Sequence, residues 1–340
     1  MKAAVTGASG FLGSHLVRAL VAEGHEVVAG SRKPVPELVA LGARHAPLDL
    51  SDRDGLRNAF KGVDVVFHVA AKTGVWGPTR EYHESNVTGT ENVLAACEQR
   101  KVARLVYTSS PSVTFDGTSH VDASNDLPYS SQFLCAYPRT KAEAERAVLA
   151  ANGRWGLATC ALRPHLIFGP GDPNLIPRLV ARARAGKLAR VGRGDNVVTL
   201  CAVETAVAAH LAAARKLEPR APHAGKAYFI GQERPVVLWQ WIERLLERLG
   251  LPPVRRSLSL PLAYAIGTLC ESAWLVSRAR GEPPMTRFVA LQLARSHSYD
   301  MTPAQRDFGF REPLSIEQAT DRLVEALRAT PGLGAPAATS

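Results

Sequence analysis

A chain of 340 residues with 46% hydrophobic and 21% charged residues has the composition of an ordinary soluble globular protein, long enough for one large or two modest domains. Its five cysteines, Cys97, Cys135, Cys160, Cys201 and Cys270, stand far apart with no CxxC pair, which argues against a disulfide framework and a metal site and suits a reducing cytoplasm. The net charge of +10 favours an anionic ligand or surface, but no helix-turn-helix, zinc finger or aromatic-rich binding motif accompanies it, so nucleic acid is not an expected partner.

The opening MKAAVTGASG enters a strand directly, without the long apolar run of a signal peptide. Residues 2–7, 25–30, 43–50, 64–71, 103–110 and 157–164 read as strands, most of them continuously apolar as in a parallel sheet covered on both faces. Between them, residues 11–24, 53–60, 83–100 and 137–153 carry helical spacing, with Gly24 and Gly153 where C-caps belong. Such a series predicts an α/β fold, a Rossmann-type doubly wound parallel sheet that binds ligands beyond the carboxyl ends of its strands. After about residue 170 a Pro/Gly-rich exit, GPGDPNLIP, leads into a mainly helical remainder with one clear strand at 226–231. The expected division is a dinucleotide-binding domain over 1–170 plus 197–232, a smaller substrate-binding region over 171–196 plus 233–330, and a disordered tail at 331–340.

One C-terminal segment, LSLPLAYAIGTLCESAWLVSRAR (258–280), is nearly apolar but interrupted by Pro261 and Glu271. A buried or cleft-lining helix is the first expectation for it, a membrane-surface contact the second and a membrane span the last.

Chemistry concentrates at three places. TGASGFLG (6–13) follows the first strand and opens the first helix. There Gly7, Gly10 and Gly13, with Phe11 and Leu12 between them, allow a tight turn, close approach to a pyrophosphate and helix–strand packing. After the second strand, AGSRKP (29–34) has no carboxylate to hold a ribose 2′-hydroxyl and offers Arg32 and Lys33 instead. A 2′-phosphate suits a guanidinium, so NADP(H) is the expected cofactor; the alternative is two solvated charges. In CAYPRTKAEAE (135–145), Tyr137 and Lys141 stand four apart and share one side of a helix whose first turn accommodates Pro138. Taken alone, such a pair is commonly a wet helix face.

The TGxxGxxG spacing, together with Tyr-x-x-x-Lys on the helix after the fifth strand, resembles the extended branch of the short-chain dehydrogenase/reductase superfamily. That resemblance implies that Tyr137 protonates a carbonyl oxygen and that Lys141 holds the nicotinamide ribose. A free phenol has a pKa near ~10, and the neighbouring ammonium is expected to lower it. The third member is a hydroxyl of LVYTSSPSV (105–113), best matched by Ser110, with Ser109 and Ser112 as rivals. By the same resemblance Asp49 and Leu50 contact the adenine, Ala70 and Ala71 line the middle of the cofactor, and Pro164 flanks the nicotinamide. Asn86 is expected to be structural rather than a proton relay. His165 touches substrate or is a satisfied structural histidine, and His68 is buried in its strand.

Within the superfamily, YTSSPSV, AYPRTKAEAE, LRPHLIFGPGDPNLIPRL, GKAYFIGQERPV and YDMTPAQRDFGF resemble the 3β-hydroxysteroid dehydrogenase branch. AKTGVWG (71–77) and GEPPMTRFVALQL (281–293) are similar to the bacterial 2-alkyl-3-oxoalkanoate reductases of long-chain olefin synthesis. This implies an NADPH-dependent ketoreductase acting on a long-chain β-keto acid, with a long apolar cleft that 258–277 helps to form. A cation for the substrate carboxylate would come from Lys72, Arg139 or Arg193. The resemblance further implies a cytoplasmic homodimer, assembly with other enzymes of that pathway and at most peripheral membrane contact. The alternatives are a hydroxysteroid or sterol dehydrogenase, a nucleotide-sugar epimerase, and a non-catalytic NADP-binding sensor or scaffold.

Overall fold

The computed structural model describes residues 1–277, 279 and 281–330, so the tail expected at 331–340 lies outside the described residues. Seven parallel strands form the central sheet: β1 (Lys2–Thr6), β2 (Glu26–Ser31), β3 (Arg44–Pro47), β4 (Val65–His68), β5 (Arg104–Thr108), β6 (Ala158–Pro164) and β7 (Ala227–Ile230). Their spatial order is β3-β2-β1-β4-β5-β6-β7, so strand order reverses between β1 and β4. Register sets Thr6 beside Gly30 on one side and His68 on the other.

In the central strands alternate residues enter different cores, which explains why they are apolar almost throughout. Ala3, Val5, Val65 and Phe67 join one cluster with Leu16 and Val17 of the first helix, α1 (Phe11–Ala22). Ala4, Val66 and Leu105 join the other with Val93 and Val148. All seven positions of β6 are buried.

The expected helix at 83–100 is interrupted. A short α-turn, Thr79–Tyr82, runs into a π-helical turn, His83–Thr88, before the regular helix Gly89–Arg100. A third core, containing Ile176, Val180, Trp239, Ile242, Leu245, Leu323 and Val324, organises the C-terminal region. This region holds more strands than the single one read from sequence: Ala189–Val191, Val197–Val198, Cys201–Ala202, Val236–Val237, Arg256–Leu258 and His297–Tyr299. Each has two or three residues, too few to leave an alternating pattern.

The apolar segment forms the helix Leu260–Ser277, but it is neither buried nor part of the cleft described below. Only Ala263, Gly267 and Glu271, spaced by four, are buried, whereas Leu269 and Leu275 are 70% exposed and Val276 87%. The helix touches the body along one narrow stripe, where a Cβ on Gly267 would lie 2.7 Å from the Arg287 nitrogen. By length and composition it is the one helix among the described residues that is long and apolar enough to cross a membrane.

Candidate active site

A cleft of about 1010 Å³ opens beyond the carboxyl ends of β1, β4, β5 and β6, where a doubly wound sheet binds its ligands. Gly7, Gly10, Phe11, Leu12 and Gly13 form its floor. Gly7 has φ of 70°, and the Gly10 amide donates to its carbonyl at 2.9 Å. A Cβ on Gly7 would sit 2.8 Å from Ala70 Cα, and one on Gly13 would sit 2.2 Å from the Gly7 oxygen, so backbone passes against backbone. Helix α1 begins with no side-chain cap and no acidic residue in its first turn, leaving its first amides to an anion. These residues fit the pyrophosphate of a dinucleotide.

Arg32, Asp49 and Leu50 line one end of the cleft. Asp49 accepts from the Ser51 amide at 2.9 Å and its hydroxyl at 2.7 Å; these bonds, with the nearby Arg32 charge, hold its carboxyl below the usual range. Lys33, read together with Arg32 from the sequence, is exposed and does not line the cleft; its carbonyl accepts from Ser31 Oγ at 2.7 Å.

Ala70 and Ala71 line the middle. The Ala70 amide donates to Thr6 Oγ1 at 3.1 Å, and Thr6 Oγ1 lies 2.8 Å from His68 Nδ1. His68 Nε2 meets Thr90 Oγ1 at 2.9 Å, and that hydroxyl donates to the Asn86 carbonyl at 2.6 Å. These partners assign the neutral Nε2–H tautomer, in keeping with burial pushing the His68 pKa down to about 3. His68 is thus a buried link behind the cofactor wall.

Ser110, Tyr137, Lys141 and Pro164 share the wall at the ends of β5 and β6. Tyr137 and Lys141 lie on the helix Ala136–Ala150, with Pro138 in its first turn. Ser112 Oγ donates to Ser110 Oγ at 2.9 Å, and Ser110 in turn is hydrogen-bonded to the Tyr137 phenol. Ser109 lines the same wall, but its hydroxyl is buried without a partner. Burial raises the Tyr137 pKa, and the Ser110 hydrogen bond works against that rise. Lys141, 2% exposed, points its ammonium at the Thr108 carbonyl, 2.5 Å away, and lies 4.2 Å from the centre of the Tyr107 ring. Burial lowers its pKa to about 7, with Glu145 opposing. The tyrosine pKa is therefore raised, not lowered as expected: both groups are desolvated, and burial penalises the charged form of each.

Of the three candidate cations, Lys72 alone lies in the cleft wall. Its ammonium pairs with Glu81 at 2.8 Å. Arg139 is exposed beside Glu143 at 3.8 Å, and Arg193 is exposed and paired with Asp195 at 2.8 Å. The Asn86 amide clips the Lys72 backbone from both sides, its Oδ1 accepting from the Lys72 amide at 2.7 Å and its Nδ2 donating to the Lys72 carbonyl at 3.1 Å. Nδ2 also donates to Thr140 at 3.1 Å. Asn86 thus fixes the backbone at Lys72, and the π-helical turn carries it.

Residues 4–262 match the 3-beta hydroxysteroid dehydrogenase/isomerase family. The chain belongs to that family. A 2-alkyl-3-oxoalkanoate reductase of Stenotrophomonas maltophilia is 48% identical over 325 residues, covering 95% of this chain and 98% of the relative. A protein of the same name from Shewanella oneidensis is 44% identical over 330 residues, covering 95% of this chain and 85% of its own. Among solved structures, MoeE5 in complex with UDP-glucose and NAD is similar with a TM-score of 0.73 and 29% identity, covering 96% of this chain and 99% of that one.

This member of the family is an NAD(P)-dependent oxidoreductase, and its cofactor is a nicotinamide dinucleotide. Several residues that line its cleft went unread in the sequence: Thr108, Asp172, Phe288, Gln292 and Tyr299. Asp172 accepts from the amides of Asn174 at 2.8 Å and Ile176 at 2.9 Å and so anchors the helix Leu175–Arg184 at the rim. Phe288 and Gln292 stand four apart on the helix Arg287–Ala294, a spacing that was legible after its N-cap Thr286. His165 also lines the cleft; Nδ1 contacts the Thr199 carbonyl at 2.5 Å, and burial lowers its pKa to about 4. Its ring packs T-shaped against His297 and Tyr299 in the wall.

Proposed function

We propose that the protein is an NADPH-dependent ketoreductase that reduces the 3-keto group of a 2-alkyl-3-oxoalkanoic acid to the 2-alkyl-3-hydroxy acid. One observation carries the chemistry: the hydroxyl series Ser112–Ser110–Tyr137 ends in the cleft on a protonated phenol whose pKa burial raises. A proton donor needs that state. Bound NADPH would supply the hydride. Ser110 holds the substrate oxygen, and Tyr137 Oη delivers the proton as the carbonyl carbon is reduced, leaving a phenolate that solvent reprotonates. Lys141 holds the nicotinamide ribose hydroxyls, and Lys72 faces the substrate carboxylate. The substrate class is supported by the names of the relatives at 48% and 44% identity. NADPH over NADH is supported by Arg32 at the cleft end and by the absence of a carboxylate from AGSRKP. We assign cofactor binding to 1–170 plus 197–232 and substrate binding to 171–196 plus 233–330. Phe288 and Gln292, which line the cleft from that second portion, support this division.

The family match favours a second reading, a 3β-hydroxysteroid dehydrogenase using NAD. One assay separates the two: oxidation of NADPH and, separately, of NADH with a 2-alkyl-3-oxoalkanoic acid beside a 3-ketosteroid. Turnover of the acid is expected, and turnover of the steroid alone rejects the reading. In the same assay Arg32→Ala should weaken NADPH by about tenfold or more and leave NADH nearly unchanged, since a charged hydrogen bond to the 2′-phosphate is lost. Equal losses count against the cofactor assignment.

A further inference from the structure

We propose that the exposed face of the helix Leu260–Ser277 docks on an anionic lipid bilayer. Four of its large apolar side chains meet water: Leu262 is 51% exposed, Leu269 70%, Leu275 70% and Val276 87%. Leu262, Leu269 and Val276 lie on the side away from the buried stripe Ala263, Gly267 and Glu271, and Leu275 continues the row of that stripe past its buried end. The helix is held firmly in this orientation. Glu271 accepts from the Arg287 amide at 2.8 Å and from its Nε at 2.7 Å, and Gly267 brings the two backbones into contact. A membrane span would have to break that ion pair and pull a carboxylate into hydrocarbon, whereas lying on a surface leaves it intact.

Charge selects the partner. Exposed Arg255 and Arg256 precede the helix, and in the sequence Arg278 and Arg280 follow it. Its one carboxylate, Glu271, is turned inward and neutralised by Arg287. An apolar face preceded by exposed arginines, and followed in the sequence by two more, fits an interface rich in anionic headgroups. A second copy fits less well, because two-fold antiparallel pairing would set one basic end against the other. The 18-residue helix spans about 27 Å, enough to lie along such a surface as a single contact. It is also joined to the cleft: the helix Arg287–Ala294, to which Glu271 ties it, contributes Phe288 and Gln292 to the lining. Docking would therefore bring the cleft near apolar substrate held in the bilayer; this last point alone rests on the proposed function.

The test is co-sedimentation with phosphatidylcholine vesicles, with and without about one third phosphatidylglycerol. The wild-type chain should pellet with the anionic vesicles and be released by high salt. Binding should fall at least about tenfold in a Leu269→Ser, Leu275→Ser, Val276→Ser variant and also in an Arg255→Gln, Arg256→Gln variant. Both variants should keep the wild-type melting temperature and the wild-type turnover of a short, soluble 2-alkyl-3-oxo acid. A wild-type chain that stays in the supernatant overturns the proposal, as does a serine variant that binds vesicles normally. Loss of a wild-type dimer in the serine variant, without vesicle binding by either protein, overturns it in favour of a second copy. Absent vesicle binding with keto-acid turnover intact rejects docking alone, and the converse rejects only the reading of function.

Discussion

Lys141 shows how burial sets the chemistry of single side chains. Its ammonium has a carbonyl at 2.5 Å and an aromatic face at 4.2 Å, yet desolvation still brings its pKa down to about 7. The sign follows directly: the group is charged below that pH and neutral above it. In its proposed role as a charged donor to ribose oxygens it would contribute most below about pH 7, so NADPH affinity should fall as pH rises through that value. Fluorescence titration of NADPH across this range checks the point, with Lys141→Met expected to be weaker and to lose this component of the pH dependence. A flat wild-type profile counts against the role. Tyr137→Phe should lower turnover by about 10²- to 10⁴-fold with NADPH affinity little changed, since only the proton donor is removed. Near-normal turnover would reject the mechanism. At this scale the sequence located the side chains better than their energetics. Spacing and position in the element order set Tyr137 and Lys141 on one wall, but only the surroundings reveal that both lose solvent. Lys33, Arg139 and Arg193 were indistinguishable from Arg32 and Lys72 because a charge in a string of letters carries no record of which way it faces.

Among elements, the turn from β1 into α1 is specified most tightly. A Cβ on Gly13 would meet the Gly7 carbonyl oxygen at 2.2 Å, a backbone atom that cannot move without displacing the whole turn, whereas a Cβ on Gly10 would meet it at 3.2 Å. Gly13→Ala should therefore lose about 1–3 kcal/mol of stability and most NADPH affinity. Gly10→Ala, at an ordinary φ of −80°, should cost far less stability. Denaturant unfolding of the two variants decides it, and equal midpoints would mean that the close packing is relieved elsewhere. Such a turn is legible because its geometry admits few residues. The π-helical turn at His83–Thr88 left no comparable trace, since it differs from an α-helix only in how its backbone bonds. The Leu260–Ser277 helix misled for a different reason: apolar composition predicts burial, but burial also needs a partner face, and here one narrow stripe has one.

For the molecule as a whole, the roof of the cleft is made where its two portions meet. Loop 71–77 is held at one end by the Asn86 clip on Lys72 and at the other by Glu282, whose Oε1 accepts from the Val75 amide at 3.1 Å. The second Glu282 oxygen pairs with Arg178 at 2.7 Å, so one carboxylate joins the loop to a helix on the C-terminal side. Gly74 lets the carboxylate approach; a Cβ there would lie 2.6 Å from Glu282 Oε1. The Glu282 half of this clasp was not readable from spacing, because its partners are more than a hundred residues from it in sequence. Glu282→Ala removes both bonds while leaving the glycine turn and Arg32 untouched. The Arg178 side chain is 65% exposed, so the loss is discounted for solvent to about 1 kcal/mol, a several-fold effect. The expected result is a several-fold rise in KM for the keto acid, with NADPH affinity unchanged and kcat reduced less than kcat/KM. A variant that lost cofactor and substrate affinity together would show that the roof supports the nucleotide as well, and that the two portions close as one unit around both ligands.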